Sequence, residues 1–329
     1  MNTTYETDNH TKQQSQSTSL FGKRIAWRLG GAIVVLWAVA TIIFFAVLLM
    51  PGDPVLALLG GGSGNVSAEV VAEVSKEYGL NEPIFTQYFI YLGNVLSGNL
   101  GTSYSQHLPV TQVLDEHIGP SLQLALCSLL LAWLIVLAMT IFTSHRRSWR
   151  GRVGSVIETL AAAVPHFWIG LILLSVFAFG LRLFPPAGSN GWNTLVLPSI
   201  ALALPLAGFI GQVTRESLDF TLDQPFILTA KTRGLSDVGV RVKHALRHAV
   251  LPGISLSGWA IGALISGSVV IEVIFSRKGL GRQLYQAVLS QDMPLTIGIS
   301  LVVAAGYVLA NLFVDVLYQL IDPRQERVQ

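Results

Sequence analysis

From residue 30 to residue 50 the chain runs 21 residues without a charged side chain. A helix of that length rises about 31 Å, enough to cross the ~30 Å hydrocarbon core of a bilayer. The run exceeds the ~7–15 apolar residues of a signal-peptide core, and it ends in Met50-Pro51-Gly52-Asp53-Pro54 with no small-residue cleavage site, so it reads as an uncleaved anchor. Five more runs of similar character follow, at 121–142, 156–181, 195–213, 254–275 and 295–318. The third carries Glu158 near its start and a kink-prone Pro165; the fourth carries Pro198 and Pro205, which membrane helices tolerate when neighbours satisfy the freed carbonyls. With 51% hydrophobic and 12% charged residues, against ~25% charged in soluble domains, and a mean hydropathy of +0.57, the expected fold is an all-α integral membrane protein of six transmembrane helices.

Charge placement orients these spans. Of the 21 Lys and Arg residues, 16 fall in the N-terminal segment, in the loops after spans two and four, and in the tail; only Lys76, Arg182, Arg277, Lys278 and Arg282 fall on the other side. The positive-inside rule therefore puts both termini in the cytoplasm. A net charge of +2 gives no reason to expect nucleic-acid binding. The single cysteine, Cys127, excludes a disulfide framework or a thiolate metal cluster within the chain.

Residues 1–18 are polar, without apolar periodicity, and are expected to form a disordered cytoplasmic tail. The outer segment 51–120 reads as a small helical cap. Ser67 is placed to cap a helix over 70–78, Gly79 to end it and Pro83 to open the next, and seven acids against Lys76 make the segment either a solvated face or a docking surface for an external partner.

The longest inner loop, 214–253, has its own helical punctuation. Asp223 and Pro225 read as an N-cap and first-turn pair for a two-turn helix over 226–233, and Gly234 suits a left-handed stop. Ser236 then caps a second short helix in which Val238, Val242, Leu246 and Ala249 recur at helical spacing, ending where Leu251-Pro252 leads into span five. Two short helices joined by a glycine form a unit that a partner outside the membrane can push.

Six local matches, in order along residues 24–324, resemble the permease subunits of ABC importers, specifically the dipeptide, oligopeptide and nickel permease family and the first permease of each pair. They are Leu49-Met50-Pro51-Gly52-Asp53-Pro54, Gly119-Pro120-Ser121-Leu122-Gln123-Leu124-Ala125, Pro165-His166-Phe167-Trp168-Ile169-Gly170, Thr229-Ala230-Lys231-Thr232-Arg233-Gly234-Leu235, Arg277-Lys278-Gly279-Leu280-Gly281, and the closing Asn311 to Asp322-Pro323-Arg324. The resemblance implies a type I importer permease domain over 19–325 in a bacterial inner membrane. It implies four kinds of neighbour: a second homologous permease, two cytoplasmic ABC ATPases, an extracytoplasmic substrate-binding protein and membrane lipid. The cargo it implies is a peptide, nickel or a metal chelate.

The coupling helix that enters an ATPase cleft would be Phe226 to Gly234, with contact residues Phe226, Thr229, Ala230, Lys231, Arg233, Gly234 and Leu235. Leu228-Thr229-Ala230 stands where the general importer pattern has Glu-Ala-Ala, and 17 residues separate Gly234 from Pro252, as in the peptide and nickel branch. His166 stands where most relatives carry a small hydroxyl residue.

No phosphate loop of the form Gly-x-x-x-x-Gly-Lys-Ser/Thr occurs, so ATP hydrolysis is expected on separate subunits, with no catalytic residue, metal or cofactor here. Glu272 and Asp315 are ionisable groups in apolar spans, candidates either for the translocation pathway or for structural pairing. His166 is a candidate ligand for cargo or a hydrogen-bonded packing residue. His107 and His117 lack metal-site spacing. Gly258, Gly262 and Ser266 form a small-residue face for close helix packing, which would also line the path if it met a second permease. Ser257, Ser268 and His166 lack the nucleophile elbow and orienting group of a hydrolase. The alternative reading is an ion-coupled secondary transporter using Glu272 and Asp315, which leaves the loop at 214–253 unexplained.

Overall fold

The computed structural model describes residues 30–46, 48–49, 82–144 and 149–321, the side chains of 315–321 excepted. The expected helix over 70–78 and the tail 1–18 lie outside the described residues. Helices account for nearly all of the described chain: α1 (Gly30–Ala46), α2 (Ile84–Leu96), α3 (Val110–Thr143), α4 (Trp149–Ala163), α5 (His166–Leu173, continued by a π-helical turn to Gly180), α6 (Asn193–Leu222), α7 (Pro225–Thr232), α8 (Asp237–Val240), α9 (Leu246–Ile274), α10 (Leu280–Leu289) and α11 (Met293–Ile321).

Six uninterrupted spans are not what these residues form. Four helices are long and apolar enough to cross a membrane, five when α4 and α5 count as one, while α1 is a shorter apolar helix within the described residues. The run 156–181 is broken, its two arms meeting at 96°. The cause is Pro165, which has no N–H for the helical ladder and sits extended at φ −60°, ψ 135° as the N-cap of α5.

Other helices overrun the expected limits. Span two begins at Val110 instead of 121, with Pro120 inside the helix; at 34 residues α3 is about 51 Å long, so it spans the bilayer and extends well beyond it. Span four continues to Leu222 with Pro198 and Pro205 both helical. Between α6 and span five the loop does not contain two free short helices. Residues 237–274 run as one 38-residue rod through a π-helical turn at Arg241–Ala245, with Pro252 inside it, so only α7 is a short independent helix.

The axis of the bundle is α6, with 18 of its 30 residues buried, surrounded by α3, α4, α5 and α9. The main core joins Leu124, Ala132 and Val136 of α3 with Ala201 to Ile210 of α6 and Ala260, Leu264 and Ile271 of α9. A second cluster, Val110, Val113, Leu114, Leu280, Ala287, Leu295 and Ile299, binds α10 to α3 and α11 at one end of the bundle. A third, at the arginine-rich end, gathers Leu218, Ile227, Ala230, Val240, Ala245 and Ala249. Alongside the bundle, α1 and α2 meet through Phe44, Phe45, Tyr88 and Tyr91, whose rings lie 5.4–5.8 Å apart across the pair.

Candidate functional site

At the arginine-rich end the short helix α7 hangs between two long rods. Pro225 at its first position supplies the right φ and has no N–H to leave unpaired. Asp223 does not cap α7; it closes α6, and Gln224 holds the N-cap position without a side-chain bond. Gly234 has φ +83°, the left-handed conformation that ends the helix at little cost only for glycine. Ser236 then caps α8, its Oγ accepting the Gly239 N–H at 3.2 Å.

The anchor of α7 is Ile227, 2% exposed, which with Ala230 fills the cluster formed by the end of α6 and the start of the 237–274 rod. Burying an isoleucine contributes about 1.5–3 kcal/mol, enough to fix a two-turn helix that would not form alone. Of the seven residues predicted for this element, Ala230 is buried and Leu235 half-buried, while Phe226, Thr229, Lys231, Arg233 and Gly234 are exposed. Leu228, at 67% exposure, adds an apolar side chain to that outer face.

Three polar ties connect the surroundings of α7 to the bundle. Arg215 of α6 donates to Glu158 of α4 through Nε (2.6 Å) and Nη2 (2.7 Å), and Nη2 also donates to Thr143 Oγ1 at the end of α3 (2.5 Å). Arg241 donates to the Ile141 carbonyl of α3 at 2.6 Å. Lys231 and Asp237 pair at 3.3 Å across the α7–α8 turn. The first two ties join α3, α4, α6 and the 237–274 rod around α7, and the third joins α7 itself to α8.

At the opposite end, the predicted pathway residue Glu272 is fully buried. It accepts from Ser121 Oγ at 2.6 Å and from the Arg282 N–H at 3.0 Å, and Ser121 Oγ in turn accepts the Leu280 N–H at 2.8 Å. The carboxylate thus caps the N-terminus of α10 from another helix, where unpaired N–H groups and the helix dipole favour negative charge. The Gly279 and Gly281 pair in the Arg277–Gly281 motif follows from this: a Cβ on Gly279 would collide with the Glu272 carboxylate, and one on Gly281 would meet it at 3.0 Å. Beside it Arg277, 1% exposed, donates to the Thr194 carbonyl at 3.0 Å. Burial pushes the Arg277 guanidinium below its usual range, and Glu272 opposes that shift.

Asp292 is a second buried carboxylate at this end that sequence reasoning missed. Its Oδ2 accepts from Ser103 Oγ (2.6 Å), Ser105 N (3.0 Å) and Ser105 Oγ (2.8 Å), and its Oδ1 accepts the Leu295 N–H (3.2 Å). An Asp two residues before Pro294 at the head of an apolar run is an N-cap signal that was available. The serines, 187 and 189 residues away, carried none.

The small-residue face packs within the chain. A Cβ on Gly258 would meet Asn311 Oδ1 at 2.9 Å, and one on Gly262 the Tyr307 ring at 2.9 Å, so α9 and α11 approach along it; Ser266 is exposed. His166 lies at the Pro165 break, half-buried, where a Cβ on Gly267 of α9 would come within 3.4 Å of its Nε2. Asp315 lies in α11, its side chain outside the described residues. His117 is tied to Gln283 at 2.8 Å and to the Val113 carbonyl at 2.7 Å, and no group of three His, Cys, Asp or Glu among the described residues is placed to hold a metal ion.

Comparison with known proteins decides the family. Residues 135–327 match the model of the binding-protein-dependent transport system inner membrane component, and residues 23–124 match that family's separate N-terminal model. The chain belongs to this family. The permease is 34% identical over 297 residues to the glutathione transport system permease protein GsiC of Salmonella typhi, covering 90% of this chain and 96% of that one. It is 34% identical over 316 residues to a Brucella abortus protein named as a peptide transport system permease, covering 93% and 98%. Among solved structures it resembles a chain of the MetNI methionine ABC transporter, with a TM-score of 0.53 at 14% identity, covering 64% of the permease and 97% of that chain; this likeness carries the fold. The permease is accordingly an ABC importer subunit of the peptide group with the type I fold, a multi-pass inner-membrane protein and not a catalytic subunit.

Proposed function

We propose that the permease forms half of the translocation pathway of an ATP-driven peptide importer. It would pair with a second homologous permease, two cytoplasmic ABC ATPases and an extracytoplasmic binding protein, with both of its own termini in the cytoplasm. The observation that carries this reading is α7: a short helix held by Ile227 and Ala230 between the end of α6 and the start of the 237–274 rod, its remaining face turned outward. ATP binding closes the ATPase dimer and displaces α7. Through Ile227 the displacement reaches α6 and α9, through Arg215 and Glu158 it reaches α4, and through Arg241 it reaches α3. The bundle then exchanges one orientation for the other, at a coupling free energy of about 1–3 kcal/mol if typical of such linkages.

Peptide cargo is supported by the names of the glutathione and peptide relatives. Within the pathway, the half-buried His166 and exposed Ser266 are the candidates left free to meet cargo, whereas the bonds of Glu272 and the packing of Gly258 and Gly262 favour positioning roles. The test is uptake of labelled glutathione and of a labelled dipeptide by proteoliposomes holding the full complex. Uptake is expected with internal ATP and not with a proton gradient alone; the opposite dependence overturns the proposal.

A further inference from the structure

A groove of about 640 Å³ runs behind α7, between that helix and the face of the following rod that carries Lys243, His244, Arg247 and His248. Its α7 wall carries Phe226 and Thr229, with Arg233 just beyond the helix end, and no carboxylate lines it. Three other cations at this end of the bundle are engaged: Arg215 by Glu158, Lys231 by Asp237 and Arg241 by a carbonyl. Arg233, Lys243 and Arg247 are exposed and meet no carboxylate among the described residues. Phe226 lies 5.7 Å from His248, edge to face, and Arg247 Nε donates to His248 Nε2 at 3.1 Å, so the His248 ring joins the aromatic wall to the cationic one. Three like charges gathered in one concave surface repel one another, and an anionic group that enters the site lowers that cost.

We propose that this groove seats an acidic segment of the ATPase, with two or more Asp or Glu side chains reaching Arg233, Lys243 and Arg247. The inference rests on the assignment of α7 as the coupling helix and adds the polarity of the contact. An acidic protein segment is favoured over a lipid phosphate because the groove is partly apolar: Phe226 (43% exposed), Ala230 and Leu235 line it together with the cations, the mixture of aromatic and arginine-rich surface that protein interfaces use.

The test is zero-length carbodiimide cross-linking of the assembled complex. The reagent activates a carboxylate, the Lys243 amine displaces the resulting urea, and an amide bond remains that mass spectrometry locates. The expected product joins Lys243 to an Asp or Glu of the ATPase, and it disappears in Lys243→Arg, which keeps the charge but offers no reactive amine. The second arm is a variant in which Arg233, Lys243 and Arg247 are all Glu. ATPase affinity is expected to fall at least tenfold at low salt and to lose most of its salt dependence. Unchanged affinity and salt slope in that variant, or absence of any Lys243 cross-link in an intact complex, overturns the proposal. Loss of co-purifying anionic phospholipid with no loss of ATPase affinity also overturns it, identifying a headgroup site instead. Gly234→Val, measured in parallel, separates the two levels: if it uncouples transport while charge reversal leaves assembly untouched, the coupling assignment stands and only the polarity of the contact falls.

Discussion

The guanidinium of Arg215 and the carboxylate of Glu158 meet fork to fork, at 2.6 and 2.7 Å, with side chains 8% and 2% exposed. A planar guanidinium matches a carboxylate in this geometry as a lysine does not. Removing one partner leaves a buried, uncompensated charge, which costs about 3–5 kcal/mol, whereas replacing both by apolar groups is often nearly neutral. Glu158→Ala and Arg215→Met should each lower the unfolding temperature of the solubilised permease, and the double variant Glu158→Leu/Arg215→Met should recover most of the loss. Equal unfolding temperatures for Glu158→Ala and the wild type would show that the pair is not structural.

Gly279→Ala should displace Glu272 from the head of α10, since the added Cβ falls on its carboxylate. Overpacking of this kind costs about 1–3 kcal/mol. Ser121→Ala removes the hydroxyl that bridges Glu272 and the Leu280 N–H, at about 1.5–3 kcal/mol for a bond to a charged group. Both variants should speed hydrogen exchange of the first-turn amides of α10 more than those of α7. Unaltered α10 protection in Ser121→Ala would contradict the capping role.

Gly234→Val places a β-branched residue at φ +83°, a strain of about 1–3 kcal/mol confined to the end of α7. No heavy atom lies within 4 Å of a Cβ there, so sterics outside the turn are not the issue. Expression and insertion should stay near normal, while uptake and substrate-stimulated ATP hydrolysis fall to background. A change at the exposed Asp237 should be milder. Wild-type uptake by Gly234→Val in the full complex would remove α7 from the coupling path.

Single cysteines at Arg150, Lys231 and Lys278 test orientation, all three positions being exposed. An impermeant maleimide applied to intact spheroplasts should label Lys278→Cys and spare the other two until the membrane is opened. External labelling of Arg150→Cys would invert the topology read from the distribution of Lys and Arg.

Membrane residence, helical class and the family were legible in the chain itself, because apolar length, charge asymmetry and short motifs are local properties that do not depend on what packs against them. So were the left-handed stop at Gly234 and the Ser236 cap, each decided within four residues. The extents of the helices were not. Pro120 and Pro252 looked like boundaries but lie within helices, because packing of α3 and α9 against α6 outweighs the local cost of a missing N–H, while Pro165 breaks its helix by 96°. Only the tertiary structure could decide what the intramembrane charges do. Glu158 finds Arg215 across 57 residues and Glu272 finds Ser121 across 151, and a buried charge takes its role from whichever partner the fold delivers to it, a property that no sequence window contains.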